Sequence, residues 1–334
     1  MAIFNKDNPF ISVAMATFNG EKYLLNQLES ISNQTLLPDE LIITDDSSTD
    51  STIDIIKSFS KKAKFKVRFF LNDTNLGYSN NFSKALSLSR GKYIFLCDQD
   101  DVWFPNKIKD MVNFTETQPD KLVYMNDAEI TDEYLKSTGI SKYNQIKQLR
   151  LDDKAFVMGC CSLIKRELID LCIPIPSNLR AHDNWIIGVA DALGAKAILK
   201  KNLQFYRRHA KNTSIVAFNN VKHINFFHFL GHNLKILRKK ISNIETKKII
   251  KERESKIFKL KEISDNIDQR WIEALFIYIK ELESLNQLES RRLYTRNLPL
   301  IRRFLNVYRI YKEGKYRRVS GIKSAIRDSI GSKR

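Results

Sequence analysis

The chain has 334 residues, 43% of them hydrophobic and 28% charged, a balance that supports packed cores and excludes wholesale disorder. No apolar run reaches the roughly 18 residues a membrane-spanning helix needs. The formal net charge of +18 is unevenly placed: residues 220–334 hold 28 Lys and Arg against 12 Asp and Glu (28 − 12 = +16), while residues 1–219 hold 28 against 26 (+2). The front is near neutral and the back is a cationic module, which calls for an anionic partner such as a membrane surface or nucleic acid.

The N-terminus, MAIFNKDNPF, lacks the basic region and long apolar core of a secretion signal. The four cysteines (Cys97, Cys160, Cys161 and Cys172) show no metal-ligand spacing and read as buried small hydrophobes, the vicinal pair included. A reducing cytoplasm is the expectation. Residues 11–16 read as a buried strand, and residues 21–31 as an amphipathic helix with Tyr23, Leu24, Gln27, Leu28 and Ile31 along one side. A second strand at 41–44 leads through the capping-rich DSSTD stretch into a helix at 51–59. A third strand at 66–71, a helix at 80–89 and a fourth strand at 93–97 follow. This alternation predicts parallel pairing through right-handed crossovers, hence an α/β fold with an open sheet.

Ligands bind such sheets at the carboxyl ends of the strands. The polar clusters fall there: residues 17–20, Asp45 and Asp46, residues 72–77, and the stretch Asp98-Gln99-Asp100-Asp101. Carboxylates crowded at the end of a buried strand repel one another, and their desolvation is costly. A divalent cation such as Mg2+ or Mn2+, which favours hard oxygen ligands, would offset that repulsion. The competing reading is a solvated acidic turn capping the helix that begins near Pro105; the place at the end of a central strand favours the cation. Trp103 and Trp185 suit either stacking on sugar rings or packing. Asp183, read by itself, suits the N-cap of a helix over 184–193.

Past residue 220 the pattern changes to long Lys- and Arg-rich helical stretches at 221–241, 271–288 and 298–311. His228 and His232, spaced i, i+4 among phenylalanines, read as packing rather than as a metal site.

The blocks ISVAMATFN, then Glu21 and Tyr23, then LIITDDSSTDST, NLGYSNNFSKAL and GKYIFLCDQDDVWFPNKI resemble, in order and spacing, the nucleotide-sugar-binding half of the family-two inverting glycosyltransferases of GT-A fold. Their shape is most similar to the rhamnosyltransferase-like subgroup that assembles bacterial surface polysaccharides. Ala181-His182-Asp183-Asn184-Trp185 and the later Gln204-Phe205-Tyr206-Arg207-Arg208-His209 with Asn212 resemble that subgroup's downstream signature, and the likeness stops near residue 214. It implies a GT-A catalytic domain over 1–218, with a mostly parallel Rossmann-like sheet, and a helical, basic domain over 219–334.

Carried over, the resemblance implies that Thr17, Asn19 and Glu21 line the nucleotide pocket and that Asp46 accepts hydrogen bonds from the base or ribose. Asp98 and Asp100 become the paired carboxylates at metal and diphosphate, with His209 a late metal or phosphate ligand. Asp183 becomes the general base. The chain departs from the family in having Asn80-Asn81 where an Arg or Lys before the Asn is common, which leaves Arg207 and Arg208 as candidates to neutralise the diphosphate. Inverting transfer needs a base on the acceptor hydroxyl opposite the leaving group, and a partly solvated carboxylate is ionised at neutral pH.

The expected activity is metal-dependent transfer of a sugar from a nucleotide-diphosphate donor, with dTDP-L-rhamnose preferred, to a growing, lipid-linked bacterial surface glycan. The alternatives are a UDP-hexose donor, a nucleotidyltransferase or a non-catalytic scaffold. An amphipathic cationic surface suits peripheral attachment to the anionic inner face of the plasma membrane. No nucleic-acid-binding motif is present, and an oligomer is left open.

Overall fold

The structure, a computed structural model, describes residues 10–176, 178–179, 181–210, 212, 242–319 and 321–331. The chain divides into two compact units, Met1–Ile224 and Asn225–Arg334.

In the first unit β1 (Ile11–Thr17), β2 (Glu40–Asp45), β3 (Lys66–Leu71) and β4 (Tyr93–Cys97) pair in parallel in the order β3-β2-β1-β4. The apolar runs of β1, β2 and β4 are buried on both faces, as strands sandwiched between helices must be. The crossovers are α1 (Leu24–Ser32), α2 (Thr52–Ser60) and α3 (Tyr78–Leu88). The first helix begins three residues later than its periodicity predicts. Gly20 O accepts from Tyr23 N and Leu24 N, both at 3.0 Å, so residues 20–23 form a turn. A Cβ at residue 20 would sit 2.7 Å from Gln99 Cδ, so a larger residue there would have to displace the Gln99 side chain.

Beyond the fourth strand come β5 (Val102–Trp103), α4 (Lys107–Thr117), β6 (Val123–Thr131), β7 (Ser137–Ser141), α5 (Lys142–Gln148), β8 (Ser162–Lys165), α6 (Arg166–Cys172), α7 (His182–Ala192) and β9 (Lys196–Arg207). The sheet continues β4-β8-β6-β9-β5, with β7 on β6. Strand β8 is antiparallel to both β4 and β6, β9 is parallel to β6, and β5 is antiparallel to β9. This is a mixed sheet of GT-A type whose parallel half presents four strand ends at one edge.

The second unit is helical over its described residues: α8 (Asn243–Ser264), α9 (Gln269–Arg296), α10 (Leu300–Lys312) and α11 (Ile322–Ile330). Ser242 and Asp268 cap α8 and α9 by accepting from Ile244 N and Arg270 N. Leu288, Val307, Ile310, Tyr316 and Ala325 form a buried cluster. Beside them Arg292 Nε donates to Asp328 Oδ2 at 2.7 Å, and Tyr316 Oη donates to the same oxygen at 3.0 Å. The helix expected at 221–241, with His228 and His232, lies outside the described residues. Among the described residues no helix is long and apolar enough to cross a membrane.

Candidate functional site

The loops at the carboxyl ends of β1 to β4 are laced together by their own polar side chains. Thr17 Oγ1 donates to Asp45 Oδ2 at 2.6 Å, and Asp45 Oδ1 accepts from Ser48 N at 2.8 Å. Asn19 sits in the left-handed region at φ 45°, where its amide donates to Ser48 Oγ at 2.8 Å and its Oδ1 accepts from Thr49 N at 2.9 Å. Glu21 Oε2 accepts from Ser51 N at 3.1 Å. Asp46, almost fully buried, accepts from Leu76 N at 2.7 Å, Gly77 N at 2.9 Å and Asn72 Nδ2 at 3.0 Å. Thr17, Asn19, Glu21 and Asp46 thus share one rim, and in this structure each shapes its wall through bonds to the protein.

Between the strand-four carboxylates, Gln99 fixes the register of that rim by accepting from Phe18 N at 2.9 Å and donating to Phe18 O at 3.0 Å. Asp98 is half-buried. Burial first, then the charges of Asp100 and Asp183, raises its carboxyl to about 7. Asp183, on the first turn of α7, therefore reaches the electrostatic environment of Asp98 from 85 residues away along the chain, 183 − 98. Its Oδ1 accepts from Asn184 N at 2.7 Å. Ala181, not Asp183, stands at the helix start, so the capping role that the sequence allows is not the one seen. Gly159 lets this helix approach β4: a Cβ there would lie 3.2 Å from His182 Nε2, 3.4 Å from Asp183 Cβ and 3.5 Å from Leu96 Cδ1.

Asp100 Oδ2 meets His209 Nε2 at 2.7 Å and accepts from Asn212 Nδ2 at 3.0 Å. The His209 ring packs on Tyr23, with centroids 4.7 Å apart. Arg207 is 3% exposed, and its guanidinium donates to Asp100 O and Glu133 O, both at 2.8 Å, and to Asn26 Oδ1 at 3.3 Å. It braces the backbone carrying Asp100 and does not present a free fork to a diphosphate. Arg208 Nη1 donates to Tyr206 Oη at 3.1 Å.

Below the rim lies a buried layer that sequence reasoning missed. Asp101 accepts from Gln204 Nε2 at 2.8 Å and Arg207 N at 3.1 Å, and burial with the Asp100 and Asp98 charges pushes its carboxyl well up. Lys107 is fully buried; its Nζ donates to Cys160 O at 2.8 Å and to Gln204 Oε1, and it lies 4.3 Å from the Trp103 ring centroid. Burial lowers its pKa. In sequence this lysine is one basic residue among many at a helix start, and nothing in its spacing marks it. Both tryptophans are core residues: Trp103 is 2% exposed, and Trp185, equally buried, donates from Nε1 to Cys172 O at 3.0 Å. All four cysteines are buried, and none of them forms a disulfide among the described residues.

Asp98, Asp101 and Cys160 bring ligand atoms within 4.8 Å of one another. Hydrogen bonding to Cys161, then burial, pushes the Cys160 thiol well up, so it stays protonated and is a poor ligand. Asp101 is already engaged by β9. Asp98 and Asp100 are the carboxylates outside that buried layer, Asp100 bonded to His209 and Asn212, and among the described residues no lysine or arginine forms an ion pair with either. This hard-oxygen donor set fits Mg2+ or Mn2+.

Residues 12–172 match the family model "Glycosyl transferase family 2". The matched stretch is just under half of the chain. The chain resembles an uncharacterised protein of Mycobacterium tuberculosis, 30% identical over 207 residues, which cover 60% of this chain and 59% of that protein. An uncharacterised glycosyltransferase of Nostoc sp. is 27% identical over 219 residues, covering 62% of this chain and 67% of that one. The chain thus spans about three fifths of the mycobacterial relative. The structure of S. aureus TarS 1-349 in complex with UDP-GlcNAc aligns with a TM-score of 0.53 and 18% identity, covering 96% of this chain and 89% of that chain. At that identity the likeness shows a shared GT-A fold, and nothing more follows from it.

Proposed function

We propose that the protein is an inverting glycosyltransferase that moves a sugar from a nucleotide-diphosphate donor to a hydroxyl of a bacterial surface glycan. The observation that carries this reading is the convergence of Asp98, Asp100 and Asp183 at the carboxyl edge of the parallel strands, with the Asp183 charge felt at Asp98. The laced rim of Thr17, Asn19, Glu21 and Asp46 is the wall for the nucleotide, and Asp183 is the base. It takes the proton of the acceptor hydroxyl as the acceptor oxygen bonds to the anomeric carbon. The bond from that carbon to the diphosphate breaks on the opposite face, and the nucleoside diphosphate leaves with the electron pair. Asp98 and Asp100, with His209 beside Asp100, would hold a divalent cation, which when bound stabilises the negative charge of the leaving diphosphate. Arg207, through Asp100 O, keeps that carboxylate in place.

dTDP-L-rhamnose is the donor we prefer, on the likeness of the later blocks to rhamnosyltransferases. A UDP-sugar is the second reading, favoured by a neighbour of the same fold that holds UDP-GlcNAc. The acceptor is a growing, lipid-linked glycan, which places the enzyme as a peripheral protein on the inner face of the plasma membrane. The basic C-terminal unit is its contact with anionic lipid. The test is a panel of dTDP-, UDP- and GDP-sugars with and without Mn2+. Metal-dependent release of nucleoside diphosphate supports transfer, pyrophosphate would indicate nucleotidyl transfer, and neither product would leave a scaffold.

A further inference from the structure

Helix α10 is apolar on two sides. Val307 and Ile310 face the interior of the second unit, whereas Leu300, Ile301, Phe304, Leu305, Tyr308 and Tyr311 are each more than half exposed, Ile301 at 77%. At about 100° per residue these six occupy an arc of roughly 140°, with the exposed Lys312 within it near one edge and the exposed Arg309 and Arg302 beyond that edge. Helix α11 repeats the arrangement: Ile322, Ile326 and Ile330 recur at i, i+4 and i+8, all more than half exposed, with Lys323 and Arg327 alongside. Its inner side is fixed by Asp328, fully buried against Arg292 and Tyr316. Arg303 ties the two helices by donating to Ile330 O at 3.1 Å. An exposed apolar patch built on two anchored helices marks an interaction surface rather than scattered surface hydrophobes.

The charges say what kind of surface it meets. Helix α10 carries four basic residues and no acid. Residues 291–334 contain two acids, Glu313 and Asp328. Glu313 is paired with Arg291 at 2.6 Å and Lys315 at 2.9 Å, and Asp328 is internal. A second copy would bring like charge against like charge around the apolar arc. An anionic bilayer offers both the opposite charge and an apolar depth of several ångströms, and tyrosines suit that boundary.

We propose that α10 and α11 lie in the headgroup plane of an anionic membrane, with these apolar side chains inserted and the bordering lysines and arginines on the phosphates. This rests on the peripheral-membrane reading above and sharpens it from charge attraction to insertion of a defined face.

The test is flotation of the full chain with vesicles of phosphatidylcholine, with and without phosphatidylglycerol. It compares wild type, the pair Ile301→Gln with Phe304→Gln, and the pair Arg302→Gln with Arg309→Gln. Wild type floats with the anionic vesicles, and each pair weakens partitioning by about tenfold or more, since binding scales with inserted apolar area and with charge. Without lipid, the apolar pair keeps the wild-type Tm, oligomeric mass and nucleoside diphosphate release. Undiminished flotation of the apolar pair would leave the membrane reading standing and overturn insertion. No flotation of wild type would overturn both. A lipid-free fall in Tm, or a change in mass, would show that the face is covered by protein, in this chain or in a second copy, and would overturn the proposal. Nucleoside diphosphate release by lipid-free wild type reads the transferase assignment separately.

Discussion

Asp98 faces two other carboxylates and follows a strand whose five residues are all buried. Its carboxyl, raised to about 7 from an ordinary 3.8, binds a proton in the folded protein over a pH range where the unfolded chain has lost it. The folded state then holds the extra proton, so stability contributed by this group is present at low pH and falls as pH rises through about 7. In EDTA, Asp98→Asn removes that slope. Its Tm relative to wild type should rise by about 2 °C or more between pH 4 and pH 8, read by thermal scanning across pH. Equal Tm differences at both pH values would refute the crowding of the three carboxylates. Asp183 answers a different question. Asp183→Asn should keep the donor-induced thermal shift and lower turnover by about 10²- to 10⁴-fold, the usual contribution of a general base. Turnover at the wild-type level would move the base elsewhere. Asp98 and Asp100 are legible in the sequence as residue types at a strand end, and Asp183 through the likeness of its block to the family. Lys107, Gln204 and Asp101 are not, because their meaning lies in a buried contact across 103 residues, as the bond from Gln204 to Asp101 shows.

At the level of elements, β1 to β4 and their helices are legible, since each is an apolar or alternating run flanked by an amphipathic period. The later strands give no such signal. β8 is four residues long, and β9 mixes lysines and asparagine into twelve residues that alternate poorly. Their pairing is decided by contact with β4 and β6, not by local pattern. In the C-terminal unit α9 and α10 are legible from periodicity, whereas α8, α11 and the lock that orients α11 are not. Asp328 accepts from Arg292 Nε and Nη2 at 2.7 and 3.3 Å and lies 3.5 Å from Arg296 Nη1, with both arginines buried. Removing one partner of such a cluster leaves uncompensated buried charge, so Asp328→Ala should cost about 3–5 kcal/mol of that unit's stability in urea unfolding. Asp328→Asn, which keeps volume and some hydrogen bonding, should cost less. A loss below about 1 kcal/mol for the alanine variant would mean that the arginines find other partners.

On the scale of the whole molecule, the sheet unit has its core between strands and helices, and the helical unit has another around Leu288, Ile310 and Tyr316. Each of these clusters is made of residues of one unit, and the charge is divided with them, near neutral in the first and strongly positive in the second. Separate cores predict separate cooperative transitions. Calorimetry of the full chain should show two. A nucleotide sugar with Mn2+ binds the folded first unit and raises its transition alone, by about 2.7 kcal/mol of linkage at a hundredfold excess over Kd. Asp328→Ala should lower the other transition and leave the ligand-dependent one in place. A single transition moved by both ligand and substitution would show instead that the catalytic sheet and the basic helices fold as one cooperative body, so that membrane contact and donor binding would be thermodynamically linked.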